Sequence, residues 1–86
     1  MNFIHSRKQL DNGNVVELSC DSACNFMLTD DLNFSLFKKC EIFEYYGGHF
    51  TEFPARITTP HAGDWNIIVE SPGGEPIASY TMNVIS

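Results

Sequence analysis

The sequence predicts an all-β fold, a small antiparallel β-sandwich of six to seven strands with one short helical turn segment around residues 31–39. Three observations predict it. Turn-forming residues recur every eight to fifteen positions, the stretches between them are rich in β-branched and aromatic side chains, and several stretches alternate apolar with polar residues. The turns are Asp11-Asn12-Gly13-Asn14, Asp30-Asp31, Gly47-Gly48, Pro60-His61-Ala62-Gly63 and Pro72-Gly73-Gly74. Each supplies positive φ at low cost or a fixed φ that cannot continue a ladder.

Taken in order, a first strand is expected near residues 2–5. Val16, Leu18 and Cys20 alternate with Glu17 and Ser19, which gives a strand over 14–20. Cys24, Phe26 and Leu28 alternate with Asn25 and Thr29 and give a strand over 24–29. The period then changes. Leu32 with Leu36 and Asn33 with Phe37 stand at helical spacing, Asp30 or Asp31 is placed to cap the start, and Lys38-Lys39 meets the negative end. One or two helical turns crossing the sandwich are expected. Strands follow over 41–46, 55–59 and 64–70. In the last, Trp65, Ile67 and Val69 share one face, and Ile68 is the lone apolar residue on the other with Asn66 and Glu70. After Pro72-Gly73-Gly74, Ala78, Tyr80, Met82 and Val84 share a face of a strand over 76–85. The strands 64–70 and 76–85 are expected to form a C-terminal hairpin with one buried side.

The chain has 86 residues, enough for one domain over 1–86 with one core. Its formal charge of −6 disfavours general binding to nucleic-acid backbones. No apolar run approaches the roughly 18 residues needed to span a bilayer, so no membrane partner is expected. The N-terminus has no basic, apolar and small-residue progression, which makes a reducing, cytoplasmic address the expectation. Three cysteines in such a compartment do not imply a disulfide framework.

Candidate chemistry is sparse. Cys20-x3-Cys24 lacks a second tight pair, and both cysteines fall on apolar strand faces, so neither a metal site nor a cofactor is expected. Cys40 with a histidine, or Ser22 or Ser35 with His49, lacks a nucleophile elbow, and no catalytic residue is assigned. Asp30 and Asp31 are adjacent and point opposite ways in extended chain, which suits capping better than acid–base work. Pro72-Gly73-Gly74 lacks the lysine and helix of a phosphate loop. An enzyme is therefore not expected.

What stands out is Tyr45-Tyr46-Gly47-Gly48-His49-Phe50. Two readings stand. The segment is a shallow aromatic binding surface with glycines for close backbone approach, or one tyrosine fills the core, the other covers an edge, and the glycines form a bend. A regular strand cannot turn both Tyr45 and Tyr46 inward. Arg56 joins the candidate binding residues, with anion binding or an internal partner, Glu44 or Asp64, as its alternatives. The expected function is a non-enzymatic interaction or sensing module that binds a protein or ligand through this loop. The alternative is a nucleotide- or sugar-binding domain, and a second copy of the chain is a further candidate partner.

The chain resembles a small bacterial family, domain of unknown function 1883. The resemblance runs from about Asn25 to Val69 and rests on Asn25-x-x-Leu28, Asp30-x-x-Asn33-Phe34, Tyr45-Tyr46-Gly47-Gly48-His49, Pro54-x-Arg56-Ile57 and Pro60-x-x-Gly63-x-Trp65-Asn66. Phe3-x-His5 and Asn12-Gly13-x-Val15-Val16 are also similar. It implies a compact β-sandwich, sometimes fused to a Toll/interleukin-receptor-type signalling domain, and no catalytic residue. The chain departs from the family pattern at Lys38–Glu44, which is more acidic and apolar than usual, with Cys40 where glycine is usual. Thr51-Glu52-Phe53 replaces another commonly basic stretch.

Overall fold

The computed structural model describes residues 3–74, 76, 77 and 79–86. Its elements are β1 (Phe3–Leu10), β2 (Val15–Cys20), β3 (Cys24–Thr29), α1 (Asp31–Lys38), β4 (Tyr46–Phe50), β5 (Ala55–Thr58), β6 (Gly63–Glu70) and β7 (Tyr80–Ile85). They form two antiparallel sheets, one in the order β1-β6-β3-β4 and one in the order β5-β2-β7. Alternation explains the core between them. Val16 and Leu18 of β2 and Ala55 and Ile57 of β5 face Phe26 and Leu28 of β3 and Trp65, Ile67 and Val69 of β6.

A third layer covers the other face of the four-stranded sheet. There α1 buries Phe34 and Phe37 against Met27 of β3 and Ile68 of β6, with Phe3 and Phe43 at the margin. Ile68, alone on its face in the sequence, is thus fully buried beneath the helix. The helix lies on the outside of the sandwich rather than across it. Asp30 is its N-cap, its side chain accepting from the Asn33 backbone N–H. At the other end the Glu41 N–H donates to Leu36 O and the Cys40 N–H to Phe37 O, the paired bonds of a Schellman ending. Cys40 occupies its left-handed position at φ 58°, where glycine is usual because it has no Cβ to crowd the carbonyl.

Four expectations need correcting. The strand expected over 41–46 is not there; β4 begins at Tyr46. The apolar residues there serve another purpose: Phe43 folds back onto Phe37 of the helix at a centroid distance of 5.3 Å, and Ile42 is left in solvent. The C-terminal hairpin is also absent, because β6 pairs with β1 and β3 whereas β7 pairs with β2 in the other sheet. A strand buried on both faces takes an interior place with neighbours on both edges, and the more exposed β7 takes an edge. The strand expected over 76–85 begins at Tyr80, and Ala78 lies outside the described residues. The first strand, expected near 2–5, runs to Leu10, and Asn2 likewise lies outside them. Its Arg7-Lys8-Gln9 stretch shows no apolar alternation because β1 is an edge strand facing solvent.

Gly47 explains itself sterically. It sits within β4 at φ 114°, and a Cβ there would lie 2.2 Å from the Phe26 carbonyl oxygen and 2.7 Å from the Ile57 side chain. The close approach Gly47 permits is therefore to the protein's own core, at the edge where the two sheets meet.

The helix ending yields a direct test. Cys40 is exposed, so replacing it removes backbone crowding without opening a cavity. Cys40→Gly is expected to raise stability by about 1 kcal/mol, read as a higher urea midpoint at unchanged slope.

Candidate functional site

Where β3 ends and α1 begins, the chain leaves a cleft of about 480 Å³. Leu28 and Thr29 come from the end of β3, Asp30 and Asn33 from the helix start, and Phe43, Glu44, Tyr45 and Tyr46 from the segment leading into β4. His61 from the β5–β6 loop and Trp65 of β6 complete the lining. The volume falls in the range of ordinary small-molecule sites.

Asn33 assembles this region. Its side-chain amide donates to Asp30 Oδ1 at 2.9 Å, and its Oδ1 accepts the Glu44 backbone N–H at 2.9 Å. The helix start is thereby tied to the incoming segment. Phe43 packs on Phe37 and, at 5.2 Å, on Tyr45, which holds the segment down from the other side. The cleft floor is Trp65, only 3% exposed. Its ring lies between Tyr46 at 5.8 Å and His61 at 5.0 Å, and its indole N–H donates to the His61 carbonyl. His61 Nδ1 sits 2.9 Å from the Ala62 carbonyl, an acceptor only, so Nδ1 carries the proton and Nε2 is free to accept in the neutral ring.

On the cleft wall, Thr29 is 1% exposed. Among the described residues its Oγ1 is the buried side-chain polar atom with no hydrogen-bond partner. Such a group costs free energy unless something bonds it, and the oxygen itself is closed off from solvent.

The predicted site residues divide between hollows, with His49, Phe50 and Arg56 lining one of about 450 Å³ beside Pro54. Tyr45 and Tyr46 line the main cleft, both about half exposed. Gly48 and His49, with Tyr45 again, line a smaller hollow of about 270 Å³ beside the helix. There His49 Nδ1 donates to Asn25 Oδ1 at 3.0 Å. Phe50 turns toward the core and Phe26, 5.8 Å away. Arg56 pairs with Glu17 across the β2–β5 ladder at 2.9 Å, and not with Glu44 or Asp64. Sequence reasoning missed the convergence of Thr29, Asp30, Asn33, Glu44 and His61 on the tyrosines. Each had a local explanation, and only the strand pairing brings them together.

A polar network underpins the helix start. Asn66, 1% exposed, donates to Asp31 Oδ1 at 2.8 Å and accepts from His5 Nε2 at 2.7 Å. Arg7 holds Asp31 in a two-pronged pair at 3.0 and 2.8 Å and reaches Asp64 at 3.4 Å. The hydrogen bonds from Arg7 and then Asn66 hold the Asp31 carboxyl well below the usual carboxylate range. Elsewhere, burial and the neighbouring Cys20 push the Cys24 thiol up to about 12, which leaves it a neutral core group. Among the described residues no group of three or more histidine, cysteine, aspartate or glutamate side chains is arranged to hold a metal ion.

The Asp31 network sets a pH dependence. A carboxyl whose folded pKa is depressed contributes stability above its unfolded value and loses it as pH falls toward the folded one. The stability gap between wild type and Asp31→Asn is therefore expected to be constant from pH 7 down to about 5. It should narrow steadily below about pH 4, the ordinary aspartate pKa. Urea midpoints across that range measure it. The gap is modest, because both Arg7 and Asp31 are half exposed and screened by solvent.

No curated protein and no solved structure matches the chain. The sequence motifs and the two-sheet architecture agree with one assignment: the family model described as a domain of unknown function (DUF1883) matches residues 1–86, the whole chain, and the protein belongs to that family.

Proposed function

We propose that this domain is a non-catalytic binding module, working in the cytoplasm, that captures a small ligand or a single inserted side chain of a protein partner in the cleft between the helix start and the Tyr45-Tyr46 segment. The observation that carries this reading is a cleft of about 480 Å³ rimmed by the half-exposed Tyr45 and Tyr46 and lined by the polar side chains of Asp30, Asn33, Glu44 and His61. Exposed aromatic rings supply contact area at low entropic cost, and a few convergent polar atoms fix orientation. The rim also suits a protein: Leu32 and Ile42, each next in sequence to a lining residue, are 70% and 97% exposed.

Histidine placement supports binding over catalysis. His5 bonds Asn66, His49 bonds Asn25, and His61 bonds the Ala62 carbonyl. None of these partners is a serine or cysteine, so among the described residues no histidine is seen activating a side-chain nucleophile. Trp65 is too deeply buried to serve as an open stacking platform, so a planar ligand would rest on Tyr45 or Tyr46.

A thermal-shift panel of sugars, nucleosides, amines and amino-acid amides tests the proposal. A compound present at 100 times its dissociation constant is expected to stabilise wild type by roughly 2.7 kcal/mol. Tyr46→Ala should fold and lose that response. A response that survives in Tyr46→Ala, or no response to any compound, would overturn the reading.

A further inference from the structure

We infer that the ligand of this cleft carries an organic cation, an alkylammonium or guanidinium group, seated against the tyrosines and held by Glu44 and Asp30. The inference rests on the reading of the cleft as a binding site and names its ligand class. The first argument is charge. Asp30 and Glu44 line the cleft, and no lysine or arginine does. A phosphate or carboxylate entering it would meet like charge with no compensating base, which excludes nucleotides and acidic ligands.

The second argument is what the chain does with its own cations. Arg7 is committed to Asp31 and Asp64, and Arg56 to Glu17. Lys38 lies over the Phe34 ring at 4.7 Å, already in the kind of contact the cleft offers. Among the described residues the Glu44 side chain has neither an ion pair nor a hydrogen bond, and Asp30 receives both of its bonds, from the Asn33 N–H and side-chain amide, on Oδ1. Its Oδ2 is free. Asp30 and Glu44 are thus carboxylates beside the aromatic wall that no ion pair among the described residues neutralises.

The third argument is hydrogen-bond polarity. A cation donates or is non-bonding, and the cleft supplies acceptors: the two carboxylates and His61 Nε2 in the neutral ring. Ring faces carry negative potential and attract cations within about 6 Å. A net charge of −6 draws cations toward the surface and repels anions.

The test is calorimetric titration of the full chain at low salt, with amide NMR to locate binding. The probes are tetramethylammonium, N-acetyl-arginine amide, an end-blocked Gly-Arg-Gly peptide, neutral 3,3-dimethylbutanol and a neutral monosaccharide. At least one cation is expected to bind about tenfold more tightly than the neutral probes and to shift the amides of residues 28–30, 43–46 and 61–65. Glu44→Gln, at an exposed position, should keep its melting temperature and weaken that cation about three- to fivefold. A peptide that outbinds the free arginine amide assigns the group to a protein partner; equal affinity assigns it to a free small molecule. Neutral probes that bind the cleft as tightly as cations would overturn the cation inference and leave the binding site standing. A cleft that none of the probes perturbs would overturn the inference, and an accompanying blank thermal-shift panel would remove the binding reading with it.

Discussion

Asn66 lies on β6 at a point where neither face of the strand reaches solvent, and both ends of its amide are bonded, to His5 on β1 and to Asp31 at the start of α1. A buried amide left unpaired costs free energy, so the helix start must come to this place and no other. The consequences follow in sequence. Asp31 fixed on the sheet places Asp30 as N-cap, and Asp30 orients Asn33. Asn33 then captures the Glu44 backbone, and Tyr46 stands edge-on to Trp65. The cleft is built outward from one buried amide.

The apolar layers share the work. Without α1 the outer face of the central strands would expose Met27 and Ile68; with it those residues join Phe34 and Phe37 in a second small core. Phe3, Phe37, Phe43 and Tyr45 run as a series of edge-on and tilted rings from the sheet margin to the cleft. The arrangement couples packing to the site: what stabilises the helix also holds the Tyr45 side of the cleft in place.

Much of the fold was legible. Period-2 alternation placed β2, β3, β5 and β6 to within about one residue, because each turns one face into a shared core. The helix was readable from its cap and its change of period. Edges were less legible: β1 extends through charged residues that no burial pattern marks, and in segment 41–45 Phe43 packs on a helix rather than in a sheet. The position of Cys40 had a signal, since a family pattern expecting glycine matches the left-handed φ found there. The site was legible only in part. Tyr45 and Tyr46 line the cleft, Phe50 and Arg56 line a second hollow with His49, and Thr29 gave no sign in the sequence of being an orphan. Long-range pairing of β3, α1 and β6 decides these placements, and local pattern carries no information about it.

The dependence on Asn66 is measured most directly by hydrogen–deuterium exchange of Asn66→Leu against wild type. Leucine keeps the branched outline of the side chain and removes both bonds, and the exposed His5 and Asp31 side chains remain open to water. Exchange in α1 (Asp31–Lys38) and segment 41–45 is expected to accelerate about tenfold or more, while the β3 and β6 core amides stay protected. Unchanged protection in the helix would contradict the claim that this amide docks it and builds the cleft.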